Sequence, residues 1–213
     1  MFYEVEVING EACIVGFTDE GLRYNRDHQQ MPEFPLEFDC LPVTRIGDYA
    51  FYDKGIIALP ESWGNIITLG EAAFADNKIS ELPEDWGIVS NIGNFCFQYN
   101  NIENIPNWGI VQEIGAYAFY ANEIEKIDNW GDLRVIRQGT FQANNFEELT
   151  ASFRNIREIG TMAFAENNIL SEIGDMYMVP QVETDAFYGN PGDGILYAKY
   201  LKEGKRYRQA ACK

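Results

Sequence analysis

Proton-shuttling chemistry near neutral pH most often uses histidine, and this chain has a single one, His28. It stands in residues 25–35, a stretch with two prolines that reads as a loop. No Cys or Asp accompanies it in a triad-like arrangement. Four cysteines, Cys13, Cys40, Cys96 and Cys212, are too few for a disulfide scaffold, and their spacing matches no zinc motif. Cys13 and Cys40 fall in one segment and could pair; free thiols are the simpler alternative. Carboxylate pairs such as Glu84-Asp85 and Glu147-Glu148 have the groups a glycosidase needs. They recur on a repeating surface, however, which marks them as a solvated face. No Gly-rich phosphate loop is present. These residues predict no enzyme, no cofactor and no metal site.

The charge balance points instead to binding. Asp and Glu number 33 against 16 Lys and Arg, a formal charge of -17. That disfavours nucleic acid, which is held by cationic contacts to phosphate, and suits a partner with a basic or amphipathic surface. Hydrophobic residues at 46% supply a sizeable core. No apolar run approaches the roughly 20 residues that span a bilayer. The opening MFYEVEVING has neither the basic start nor the apolar stretch of a signal peptide.

The elements that must carry any binding residues are set by an internal repeat. Phe51, Phe74, Phe97, Phe119, Phe141, Phe164 and Phe187 follow one another at steps of 23, 23, 22, 22, 23 and 23. Five before each stand Ile46, Leu69, Ile92, Ile114, Ile136, Ile159 and Val182. Eight before stand Val43, Ile66, Val89, Val111, Leu133, Ile156 and Val179. The residue just before each Phe is small, as in Ala50, Ala73, Cys96 and Ala118. Three after it stands Asn77, Asn100, Asn122, Asn144, Asn167 or Asn190, with Lys54 in the first copy. Apolar columns follow at five after (Ile56 to Ile169) and eight after (Leu59 to Leu149, slipping to Ile173).

A unit of this length cannot bury an apolar face alone, so it stacks on its neighbours. The small column marks close approach of adjacent coils. The Asn column is placed to hydrogen-bond the backbone of the adjoining coil. Gly47, Gly70, Gly93, Gly115 and Gly160 suit a corner, although Arg137 and Glu183 in the same column show that positive φ is not obligatory. A second motif, Pro-Glu-Ser-Trp63-Gly64 and its counterparts at Trp86-Gly87, Trp108-Gly109 and Trp130-Gly131, predicts a structural aromatic stripe continued by Phe153 and Tyr177. The alternative is a ladder on which sugars or prolines stack.

The pattern Val-x-x-Ile-Gly-x-x-Ala-Phe-x-x-Asn-x-Ile-x-x-Leu-Pro resembles the BspA-like, Treponema-type subclass of bacterial leucine-rich repeats. The resemblance runs from about Leu41 to Asn190. It implies a β-rich α/β solenoid: a right-handed leucine-rich-repeat superhelix of about seven 22–23-residue coils with a short parallel sheet. It also implies adhesion or protein binding without catalysis, in a secreted or surface-exposed protein. Residues 1–40 predict a hairpin cap turning at Asn9-Gly10, with 41–190 the solenoid and 191–213 a C-terminal cap and basic tail. In that tail Pro191-Gly192-Asp193-Gly194 is a turn, residues 195–200 a last strand, and Lys202, Lys205, Arg206 and Arg208 a basic cluster.

Outward-facing residues six and seven after each Phe are the expected contact surface. The first position holds Ile57, Ser80, Glu103, Glu125, Glu147 and Leu170, the second Ala58, Glu81, Asn104, Lys126, Glu148 and Ser171. The middle coils therefore present an acidic stripe. A second candidate is a set of aromatics beside the Phe column, Tyr49, Tyr52, Phe95, Tyr99, Tyr117 and Tyr120, interrupted by Ala72 and Ala75. The residues most expected to bind a protein are Glu81, Glu103, Asn104, Glu125, Lys126, Glu147, Glu148, Tyr99 and Tyr120. Three functions compete: an interaction or adhesion module with a protein partner, an intracellular inhibitor of a basic protein (phage- or mobile-element-encoded included), and a carbohydrate binder using the Trp stripe.

Overall fold

The fold comes from a computed structural model describing residues 1–105, 107–170, 175–183 and 185–192. Ser171, Ile173, Cys212, the strand expected at 195–200 and the basic cluster lie outside them. An N-terminal hairpin opens the chain, with β1 (Tyr3–Ile8) antiparallel to β2 (Glu11–Phe17). Asn9 and Gly10 turn it, both at positive φ, as a tight hairpin turn requires. Helix α1 (Asp19–His28) follows. Thr18 caps it by accepting a bond from the Gly21 N–H at 3.2 Å, and Asp19 and Glu20 sit in its first turn, where they favour the helix dipole. The expected loop at 25–35 therefore begins as the last turn of a helix.

The remaining strands are β3 (Glu37–Phe38), β4 (Leu41–Ile46), β5 (Thr68–Leu69), β6 (Asn91–Ile92), β7 (Asn104–Ile105), β8 (Glu113–Ile114), β9 (Lys126–Ile127), β10 (Val135–Ile136), β11 (Glu158–Ile159) and β12 (Gln181–Val182). The hairpin feeds directly into the solenoid: β2 pairs parallel with β4, and the ladder runs on through β5, β6 and β8. A second run joins β10, β11 and β12. The result is a β-solenoid of about six turns.

Inside it the seven phenylalanines form one buried row, with neighbouring ring centroids 5.2 to 5.8 Å apart. Around that row the coils are joined through the backbone. From Phe51 to Phe164, the N–H of the Phe donates to the carbonyl of the small residue one coil on: Phe51 to Ala73 at 2.8 Å, Phe74 to Cys96 at 2.8 Å, Phe97 to Ala118 at 2.8 Å. The small column thus lies where coils touch. Cys96 fits it as a buried thiol, its pKa raised by desolvation. Cys13 is buried and Cys40 exposed, and both are free.

Each Asn clamps a coil to the one before it. Asn122 donates through Nδ2 to the Phe97 carbonyl at 2.9 Å and accepts from the Ile102 N–H at 3.1 Å. Asn77, Asn100, Asn144, Asn167 and Asn190 repeat the arrangement. Lys54 replaces Asn in the first copy because the hairpin, not a repeat coil, precedes it. The Trp side chains are buried: Trp63 stacks on Trp86 (5.6 Å, 4°), and Trp86 on Trp108 (6.0 Å, 24°). Each also stands edge-on to a core Phe. Their buried indole N–H groups reach no hydrogen-bond acceptor.

The glycine column serves close approach rather than a special dihedral, since none of Gly47, Gly70, Gly93, Gly115 and Gly160 has positive φ. A Cβ on Gly93 would stand 2.6 Å from the Gly70 carbonyl carbon, and one on Gly115 would stand 2.4 Å from the Asn94 nitrogen. Where Arg137 occupies this column the main ladder is interrupted, ending at β8 and resuming at β10. Glu183 in the same column leaves the β11–β12 pairing intact, its N–H donating to the Ile159 carbonyl at 2.9 Å.

The clamp gives a stability test. Asn122→Ala leaves the Phe97 carbonyl and Ile102 N–H buried without their partner, a loss of about 2 to 4 kcal/mol. Asn107→Ala removes only an exposed turn bond to Gly109 and should cost under about 1 kcal/mol. Urea denaturation of the two variants should show that difference.

Candidate interaction surface

The described residues six and seven after the Phe column lie on one side of the solenoid. Glu81, Glu103, Asn104, Glu125, Lys126, Glu147 and Glu148 are all exposed. Backbone bonds hold their coils adjacent: the Glu125 N–H donates to the Glu103 carbonyl at 2.9 Å, and the Leu170 N–H donates to that of Glu147 at 3.3 Å. Among the described residues, regular strand structure on this side is confined to β7 and β9, with Asn104 opposite Lys126. The longer parallel ladder lies elsewhere, at the residues five and six before each Phe. The two coils that carry β7 and β9, starting at Phe97 and Phe119, are also the two with one residue fewer before the Trp.

Among the described residues no ion pair reaches Glu81, Glu103, Glu125, Glu147 or Glu148; Lys126 instead lies 3.5 Å from Asp128. A hollow of about 510 Å³ on this side gathers Glu125, Lys126, Glu147 and Glu148 with Asn145 and Asn168. The stripe is thus a run of uncompensated carboxylates, spaced by roughly the 4.8 Å between strands, where like charges repel. Ile57 and Leu170, at its two ends, are exposed apolar residues.

Tyr99 is exposed and Tyr120 half-buried, with ring centroids 5.4 Å apart. They sit on the corner just outside the Phe row, beside Phe95 and Tyr117. Their backbone was not foreseen from the sequence. The residue two before the Phe has positive φ in six coils (Tyr49, Ala72, Phe95, Tyr117, Gly139, Met162), and the residue two after it in seven (Asp53, Asp76, Tyr99, Ala121, Ala143, Glu166, Gly189). Only two of these thirteen are glycine, so residue type does not announce the conformation.

The outward face of the main ladder was also missed. Arg45, Thr68, Asn91 and Glu113 project along it over a glycine floor, lining a hollow of about 390 Å³ closed by Arg137. Its carboxylates are partly compensated, with Arg45 3.7 Å from Asp48 and Arg137 3.9 Å from Glu113. His28, at the exposed end of α1, places Nδ1 2.9 Å from the Tyr24 carbonyl and stacks on the Tyr24 ring. Among the described residues no three His, Cys, Asp or Glu side chains converge as metal ligands, and no helix is long and apolar enough to cross a membrane.

The chain belongs to the BspA-type leucine-rich repeat family, whose model matches in six copies over residues 37–146 and 82–192. Its structure is similar to that of a leucine-rich repeat protein from T. pallidum, at 16% identity and a TM-score of 0.55, covering 99% of this chain and 97% of that one. It is also similar to a leucine-rich repeat protein from Eubacterium ventriosum, at 17% identity and a TM-score of 0.50, covering 89% of this chain and 62% of that one. No curated protein matches it. At these identities the structures establish the fold alone. Leucine-rich repeat proteins are generally non-catalytic and work as protein-interaction modules.

Burial of Trp63, Trp86, Trp108 and Trp130 removes the aromatic platform on which the carbohydrate alternative rested. Tryptophan emission should therefore be blue-shifted relative to the urea-unfolded chain and unmoved by soluble glucans. A red native emission, or a shift on adding glucan, would contradict the buried stripe.

Proposed function

We propose that this chain is a non-catalytic docking or adhesion module whose acidic strand side receives a protein partner with a basic or amphipathic surface. What carries this reading is the set of exposed carboxylates led by Glu103, Glu125 and Glu147, with no cation paired to them among the described residues. Glu81, Asn104, Lys126 and Glu148 widen the contact, and exposed Ile57 and Leu170 supply apolar ends for an amphipathic partner. Such a surface speeds encounter and selects partners by charge more than it adds raw affinity.

The test is titration with a lysine-rich amphipathic peptide. Wild type should bind, and binding should weaken as salt screens exposed charges. The Glu103→Lys, Glu125→Lys, Glu147→Lys triple variant should bind at least about tenfold more weakly, roughly 1.4 kcal/mol. The same reversal at Glu4, Glu6 and Glu11 on the hairpin changes net charge equally and should have a much smaller effect. Equal losses in the two triple variants, or none in the first, would remove the stripe as the contact site.

A further inference from the structure

The corner outside the Phe row carries aromatic side chains that the coil itself does not need. Ala72, Gly139 and Met162 occupy the same left-handed backbone position as Tyr49, Phe95 and Tyr117, so the turn forms without a ring. The rings nevertheless project to solvent: Tyr49 is 54% exposed and Tyr99 46%. They are organised rather than scattered. Phe95 and Tyr117 stack in parallel at 5.5 Å and 3°, Tyr117 meets Tyr120 edge-on at 5.9 Å, and Tyr120 meets Tyr99 at 5.4 Å. Tyr49 and Tyr52 make a second pair, 6.0 Å apart, on the first coil. The neighbouring coil makes room for Tyr117. A Cβ on Gly139 would fall 2.2 Å from its ring, and Gln138 donates to its hydroxyl at 2.8 Å.

Between the two ring groups lies the coil with only Ala72 and Ala75, and there two carboxylates, Glu71 and Asp76, stand beside the rings of the first coil. The Tyr49 hydroxyl donates to Glu71 Oε1 at 2.8 Å, and the Asp76 carboxylate beside Tyr52 raises the pKa of that hydroxyl. Neither carboxylate has an ion-pair partner among the described residues. Aromatic rings on both sides of two carboxylates, one of them held by a tyrosine hydroxyl, are complementary to a planar cation. We propose that this corner binds an arginine-bearing polypeptide segment, the guanidinium lying on the ring faces and donating to Glu71 and Asp76. Arginine fits better than lysine because its flat, weakly hydrated head stacks on rings and its fixed donors match carboxylate geometry. The Tyr49 hydroxyl already orients Glu71, which reduces the ordering left to be done on binding. The proposal goes beyond the acidic stripe, which lies on another side of the coil. Ring substitutions leave net charge unchanged, so the two ideas fail separately.

The test uses a fluorescent peptide of alternating glycine and arginine, its citrulline counterpart and its lysine counterpart, at one salt concentration. The arginine peptide should bind, with citrulline at least tenfold and lysine several-fold weaker. Phe95→Leu with Tyr99→Leu should weaken arginine binding about tenfold, Tyr99→Phe should leave it within twofold, and Glu71→Gln with Asp76→Asn should abolish the preference over citrulline. If the first double variant does not fold, Tyr49→Leu with Tyr52→Leu takes its place. No binding of the arginine peptide, equal binding of the citrulline or lysine peptide, or wild-type affinity in the leucine variants would each overturn the assignment.

Discussion

Everything in this molecule depends on how one coil satisfies the buried backbone of another. A 22–23-residue turn wrapped around a phenylalanine encloses polar groups that water cannot reach, and leaving each unpaired costs on the order of 1 to 3 kcal/mol. The Phe N–H finds its acceptor one coil ahead, and the Phe carbonyl finds the Asn amide of that same coil. Stacking is therefore a condition of folding rather than a consequence of it, and stability accumulates through nearest-neighbour interfaces. Only after that accounting closes do the Phe and Trp rows add their apolar burial.

The same requirement explains the left-handed residues flanking each phenylalanine. Alternate N–H groups, those of Tyr49, Phe51 and Asp53 for instance, donate to carbonyls of the next coil at 2.8 to 3.1 Å. Bringing alternate amides to one side forces the chain through positive φ at positions occupied by Tyr, Phe, Ala and Asp. The strain is of order 1 kcal/mol per residue, offset by bonds that a relaxed backbone would not make. Glycine's role is elsewhere: at the ladder it lets coils approach, and after each Trp (Gly64, Gly87, Gly109, Gly131) it supplies the positive φ.

Much of this architecture was legible in the sequence because core columns repeat under one constraint. Phe51 to Phe187, Asn77 to Asn190 and the small residues between them announce their environment by type. Residues obeying no shared constraint were harder to read. The main ladder ran five and six before each Phe, because Ile46 and its equivalents look like any apolar column until pairing is seen. Helix α1 was missed since its short run of DEGLRYNRDH has no strong apolar stripe. The expected contact residues Glu81 to Glu148 are exposed, whereas the pairing of Tyr49 with Glu71 and the nearness of Tyr52 to Asp76 needed three dimensions. Those pairs lie 22 and 24 residues apart, one coil of separation. A solenoid's surface is free of its core, so the periodicity that reveals the fold is silent about what the outside binds.

The most direct test of the interlocking coils is hydrogen exchange of asparagine side-chain amides by NMR. Asn77, Asn100, Asn122, Asn144 and Asn167 should exchange at least about a hundredfold more slowly than exposed Asn107 and Asn129, because their amides open only with the coil stack. Uniform fast exchange at all seven would contradict the account.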